Sequence, residues 1–226
     1  MPCTPGSVIR SVLSLALGAA LLGCGSGLAD ATAGQLPDPV VSTTAVAGDQ
    51  VAVLAGGCFW GIEAVFEHIK GVKHVSSGYA GGSAATANYS LVGSGATRHA
   101  EAVKVVYDPS QVSYGQLLKV FFSVAHDPTQ LNRQGPDRGP QYRSEIFASD
   151  VEQARVAKAY IARLAASKAF SKPIVTEVTP LQKFYVAEDY HQDYARLHPN
   201  EPYIVYHDAP KVKALARQFP ALYRVQ

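Results

Sequence analysis

Cysteine is scarce in this chain. Three occur in 226 residues, and only one of them, Cys58, lies beyond position 24. The body of the chain therefore holds no pair for a structural disulfide and no second thiolate to join a histidine in a zinc site. Clustered basic residues are also missing, and a formal net charge of +2 leaves no electrostatic footprint for nucleic acid. No internal repeat recurs. With 17% charged and 47% hydrophobic residues, the composition excludes a disordered chain and fits a globular one.

The N-terminus reads as an export signal. Arg10 precedes the apolar run Val12 to Leu22, which is too short for a comfortable membrane span and suits a signal peptide over residues 1–23. Leu21-Leu22-Gly23-Cys24 resembles a bacterial lipobox, with Leu22 unusual at its place, and this predicts lipidation of Cys24. Cleavage after Ala31, following Ala29-Asp30-Ala31, is the rival and would release a soluble periplasmic protein. With Gly25 next and no aspartate there, the expected address is the outer membrane of a two-membrane host. Residues 24–49 then form a tether, rich in Ala, Thr, Pro and Gly with few charges. The remaining 175 to 200 residues or so suit one domain burying roughly 70% of its unfolded surface. Under either cleavage Cys58 is the only free thiol of the mature chain.

Cys58 stands in Gly56-Gly57-Cys58-Phe59-Trp60-Gly61, between the apolar run Val51 to Ala55 and a stretch with apolar residues at Phe59, Ile62, Val65, Phe66 and Ile69. The first run reads as a buried strand and the second as a helix. The sulfur thus falls at a helix start, where free amides and the helix dipole favour a thiolate. The two glycines allow tight geometry and close approach of a substrate. A lone buried cysteine that merely fills space is the alternative.

Further strands are expected at Val72 to Tyr79, Glu101 to Tyr107, Tyr142 to Phe147 and Ile174 to Val178, with helices at Tyr114 to Val124 and Val151 to Ser167. The order βαββαβαβ predicts an α+β fold: a two-layer α/β sandwich with a ferredoxin-like core, a mixed sheet and helices on one side. Ala80 to Ala100 and Ala125 to Gln141 lack periodicity, are rich in Gly, Asn, Asp and Pro, and read as long functional loops. They carry or border Tyr89, Glu101, Asp127 and Tyr142. A thiol, a carboxyl and two tyrosines suit attack on an electrophile whose leaving oxygen needs a proton. Gly78 to Gly82 is no phosphate loop, because no Gly-Lys-Ser/Thr follows.

Across Val51 to Tyr206 the chain resembles the A-type peptide methionine sulfoxide reductases. The resemblance rests on Gly57-Cys58-Phe59-Trp60-Gly61, Gly78-Tyr79-Ala80-Gly81-Gly82, His99-Ala100-Glu101, Tyr107-Asp108-Pro109, His126-Asp127-Pro128, Gln141-Tyr142-Arg143-Ser144 and Ala187-Glu188-Asp189-Tyr190-His191-Gln192-Asp193-Tyr194. It implies a domain at 50–206 with a tail at 207–226, acting on methionine (S)-sulfoxide in oxidised proteins and as the free amino acid. It implies that Cys58 attacks the sulfur, Glu101 gives the oxygen a proton, and Tyr89 and Tyr142 hydrogen-bond that oxygen. Phe59 and Trp60 would form an apolar wall around the methyl group, and Asp127, with His191 and Tyr194, would belong to the substrate pocket. Cys58 would become a sulfenic acid. No cofactor and no metal are expected, and an external thiol, such as a thioredoxin-like or glutaredoxin-like Cys-x-x-Cys protein, would reduce a monomeric enzyme.

Three departures stand out. Thr86-Ala87-Asn88-Tyr89 replaces a frequent Asn-Pro-Thr-Tyr, Thr97-Arg98-His99 replaces Thr-Gly-His, and the tail from Leu181 to Gln226 has no recycling cysteine. Lys211 to Arg217 reads there as a solvated surface helix. Each residue also has a structural reading: Phe59 and Trp60 as core, Tyr142 as a strand residue, Glu101 as a solvated carboxylate, and His99, His126 and His191 as hydrogen-bonding groups rather than metal ligands. A thiol peroxidase-like lipoprotein and a non-catalytic binding lipoprotein are the other functional alternatives.

Overall fold

Residues 36–40 and 48–226 are described by a computed structural model. The expected signal segment and Cys24 lie outside them. The apolar run before the cysteine forms β1 (Gln50–Gly56), and the periodic stretch after it forms α1 (Phe59–Glu67). Then come β2 (Val72–Ala80), α2 (Tyr89–Gly93), β3 (Ala100–Tyr107) and α3 (Tyr114–Val120), the last capped by Ser113 and Gln116 in reciprocal hydrogen bonds. α3 continues as a π turn over Phe121–Ala125. A short hairpin, β4 (Arg133–Gln134) and β5 (Asp137–Arg138), precedes β6 (Ser144–Ala148) and the long α4 (Val151–Ala166), whose N-cap Asp150 accepts from Gln153 N. β7 (Glu177–Pro180), β8 (Phe184–Val186), α5 (Tyr194–Leu197) and α6 (Ala209–Gln218) complete the chain.

Six strands form one sheet in the order β7-β6-β1-β3-β2-β8. The central four, β6-β1-β3-β2, are antiparallel to their neighbours, which gives the ferredoxin-like core, and β7 pairs parallel to β6, which makes the sheet mixed. Side-chain alternation divides the strands cleanly. Ala52, Leu54, Val103, Val105, Tyr107 and Ile146 face the helices with Ile62, Phe66, Leu117 and Tyr160. Val53, Ala55, Ala100, Ala102 and Phe147 face the other way and are covered by Leu181 and Phe184. The α+β expectation therefore holds.

Several boundaries differ from the sequence reading. Tyr142 is not a strand residue: it ends a 3-10 turn at Pro140–Tyr142, and β6 starts at Ser144. The last expected strand begins three residues late, at Glu177, and β8 has no counterpart in the periodicity reading because it is only three residues long. The stretch after residue 206, expected as a tail, contains α6. α6 packs against α1, and Leu215 is fully buried in the core. Part of the expected tether is likewise fixed, since Asp38 pairs with Lys119 at 2.7 Å and the ring of Pro39 lies against Gly115 on α3. Among the described residues no helix is long and apolar enough to cross a membrane.

Candidate active site

The site forms where β1 ends and α1 begins. Gly57 has φ +108°, a conformation strained for any residue with a side chain, and the turn it makes leaves Cys58 as the N-cap of α1. The space beside the two glycines is filled by protein, not kept for substrate as expected: a Cβ on Gly56 would lie 2.8 Å from His126 Cγ, and one on Gly57 2.5 Å from Gln134 Cγ. The sulfur is buried at 8% exposure. Burial is the main cause that pushes its pKa well above the ordinary thiol value, with the charges of Glu101 and Asp208 adding to it, and these outweigh the Trp60 amide and Lys211. The expectation of a thiolate favoured by the helix start is therefore corrected: the resting sulfur is a neutral thiol.

Glu101 belongs to the same β3 row as Val103, Val105 and Tyr107, so alternation points it at the helices. As the row's first member it reaches the start of α1, where its Oε2 accepts from Phe59 N at 3.2 Å. It is 2% exposed. Burial raises its pKa to about 8, the Phe59 amide pulls the other way, and Asp137 adds to the rise. The carboxyl is thus a neutral acid at pH 7, not a solvated strand-end charge.

A cavity of about 190 Å³ joins these two groups to Phe59, Trp60, Tyr89, Asp137, Tyr142 and Tyr203. It is smaller than the cavities that take whole small-molecule ligands, and suits the end of one side chain. Tyr89 enters from the first turn of α2, which Asn88 caps by accepting from Leu91 N at 3.0 Å. Its own backbone N–H is fixed by Glu188 Oε1 at 2.9 Å, while Glu188 Oε2 accepts from the buried Tyr79 hydroxyl at 2.8 Å. Tyr142 enters from its 3-10 turn. Burial first, then the neighbouring Glu101, raises the pKa of both phenols, so both remain hydroxyl donors.

The apolar side is held from behind. Trp60 Nε1 donates to His191 Nδ1 at 3.2 Å, and its ring stacks on Tyr194 with centroids 3.8 Å apart and planes 11° from parallel. Burial lowers the His191 pKa, which suits the neutral acceptor. His191 and Tyr194, expected in the substrate pocket, do not line it; they orient Trp60. Phe59 is both wall and core, 1% exposed and 6.0 Å from Tyr79 between ring centroids.

Asp127 is also displaced from its expected place. Its carboxylate accepts from Thr129 N and Oγ1 and from Gln130 Nε2, bonds that outweigh burial and lower its pKa. Its backbone is clamped by Gln134, the side chain that packs on Gly57. Asp127 therefore shapes a loop behind Cys58. The carboxylate in the cavity is Asp137, which accepts from the Tyr203 hydroxyl. Sequence reasoning missed both Asp137 and Tyr203; the only signal was the density of polar residues in Asn132 to Ser144. Arg98 is exposed and borders a groove with Arg143 and Glu145, away from this cavity.

The remaining histidines bond to protein. His99 Nε2 donates to Ser83 O at 2.9 Å, while His126 contacts Phe121 O at 3.0 Å and Ser144 Oγ at 2.7 Å. No group of three or more His, Cys, Asp or Glu among the described residues could hold a metal ion. Among the described residues the one thiol thus shares a small cavity with a neutral carboxyl and two phenols, a set suited to thiol chemistry.

Residues 50–222 match the family described as Peptide methionine sulfoxide reductase, and the chain belongs to that family. It is 56% identical over 188 residues to Peptide methionine sulfoxide reductase MsrA 2 of Synechocystis sp., covering 81% of this chain and 88% of that protein. With the MsrA 2 of Mesorhizobium japonicum it shares 55% over 179 residues, covering 79% and 92%. Among solved structures it is similar to methionine sulfoxide reductase A of Corynebacterium diphtheriae (TM-score 0.59, 38% identity, 69% of this chain and 78% of that one). It is also similar to reduced Mxr1 of Saccharomyces cerevisiae (TM-score 0.63, 33% identity, 72% and 92%).

Proposed function

We propose that the protein reduces methionine (S)-sulfoxide, in oxidised proteins and as the free amino acid, by nucleophilic attack of Cys58. The observation that carries this reading is the neutral Glu101 carboxyl in one small cavity with the Cys58 thiol. Phe59 and Trp60 receive the methyl group, and Tyr89 and Tyr142 donate to the sulfoxide oxygen, which ordinary methionine lacks. Glu101 gives that oxygen its proton and recovers one from the Cys58 thiol as sulfur attacks sulfur. Charge does not accumulate in a site that water enters poorly. The sulfur–sulfur bond formed in the attack and the substrate sulfur–oxygen bond then break as a Cys58 sulfur–oxygen bond forms, so that methionine leaves and Cys58 holds the oxygen as a sulfenic acid. One external thiol then displaces water to form a mixed disulfide, and a second releases Cys58 as a thiol. A Cys-x-x-Cys protein supplies both.

The export signal and Cys24 support repair in the cell envelope by a lipid-anchored enzyme, with the soluble periplasmic form as the alternative if cleavage falls after Ala31. Turnover of the two sulfoxide epimers with dithiothreitol tests the activity. The S epimer alone should be consumed, and Cys58→Ser should abolish consumption while the protein stays folded. Consumption of peroxide in preference to sulfoxide would overturn the reading.

A further inference from the structure

Behind the nucleophile lies an ion pair, a buried carboxyl with a partly buried lysine, that the chemistry above does not use. Asp208 has no exposed surface, its Oδ1 is 3.1 Å from Lys211 Nζ, and its Oδ2 has no hydrogen-bond partner. Both side chains press on Gly61. A Cβ there would lie 2.0 Å from Asp208 Oδ1 and 2.8 Å from Lys211 Nζ, so any side chain at 61 would displace the pair from its present place. Gly61 follows Cys58 by three residues, one turn along the same face of α1. The pair comes from the start of α6, the segment expected as a solvated surface helix, and the same stretch of chain brings Tyr203 into the cavity.

We propose that Asp208 and Lys211 are a positioning pair for Cys58, setting the charge that the sulfur feels through the first turn of α1. This rests on the reading of Cys58 as the nucleophile. The cavity around the sulfur is lined by Glu101 from β3, Tyr89 from α2, Asp137 from β5, Tyr142 from its 3-10 turn and Tyr203 from the C-terminal segment, while Asp208 and Lys211 stand against Gly61, one turn along α1. Lys211 is the one cation in this set. A carboxylate alone would hold the thiol neutral and slow attack, whereas a lysine alone would leave a thiolate open to indiscriminate oxidation. Paired, they keep the resting sulfur a thiol while providing a cation one turn away when negative charge develops on it. Asp208 is pushed up by burial and pulled down by Lys211, as expected of a buried carboxyl beside a partly exposed cation.

The test is the pH dependence of Cys58 alkylation by iodoacetamide, which needs no sulfoxide and so separates this inference from the proposed activity. Asp208→Asn should move the alkylation profile to lower pH and Lys211→Met to higher pH, with about a tenfold change in rate at fixed pH for each unit moved. Lys211→Arg should restore the parental profile. A purely structural role would move both variants the same way or neither, and would overturn the proposal. If Asp208→Asn does not fold, the contrast of Lys211→Met with Lys211→Arg still decides.

Discussion

The backbone N–H of Phe59 donates to Glu101 Oε2 at 3.2 Å, tying the first turn of α1 to the carboxyl at the start of β3. One oxygen of the acid is thereby occupied and the other is free to present a proton to the cavity. Replacing Glu101 by Gln keeps the acceptor for Phe59 but removes the acidic proton. Single-turnover reduction by Glu101→Gln should fall by about 10² to 10⁴ while substrate affinity changes little. A parental rate would remove Glu101 from its role.

The pH dependence follows from the same group. Its pKa lies near 8 and the proposed proton donation needs the protonated form, so the single-turnover rate should decline as pH rises through about 8. Asp137 contributes to that raised pKa, although less than burial does. Asp137→Asn should therefore shift the alkaline decline toward lower pH, a displacement that pH–rate profiles of the two proteins would reveal. A shift to higher pH would contradict the electrostatic account.

Trp60 owes its orientation to His191 and Tyr194. An aromatic contact of this kind is worth about 0.5–1.5 kcal/mol, so Tyr194→Ala should weaken sulfoxide binding by roughly 2- to 10-fold. The change should appear in KM more than in kcat, because Tyr194 does not line the cavity and touches no reacting atom. An effect confined to kcat would mean that Trp60 is held by other contacts.

Much of this was legible in the chain. Apolar runs and 3.6-residue spacing located β1 with α1 and the span of β3, but sequence spacing alone did not bring Cys58 and Glu101 together; the pairing of β1 with β3 does that. What failed were features set by contacts distant in sequence. Nothing near Asp127 distinguishes it from Asp137; only the fold of the β4–β5 hairpin and the arrival of Tyr203 make the second the cavity residue. The helix-start argument for a Cys58 thiolate was sound locally, yet burial and the carboxyl of Glu101, 43 positions later, overrule it. α6 was found as a helix, but Leu215 facing inward among basic residues gives too narrow an apolar stripe to betray its packing on α1.

The export reading concerns residues outside the described structure and has its own measurement. Mass spectrometry of the mature protein should find a lipid-modified Cys24 at the N-terminus. An unmodified N-terminus at Thr32 would instead establish cleavage after Ala31 and a soluble product.

The central claim is that Cys58 takes the sulfoxide oxygen and that no second cysteine of the mature chain resolves it. Mature protein mixed with one equivalent of methionine (S)-sulfoxide, without added thiol, and quenched with a sulfenic-acid trap reads this out directly. The expected result is one methionine formed for each Cys58 labelled, with recovery of the thiol only after dithiothreitol or a Cys-x-x-Cys protein is added. Methionine formed without label on Cys58, or with an intramolecular disulfide in its place, would contradict it.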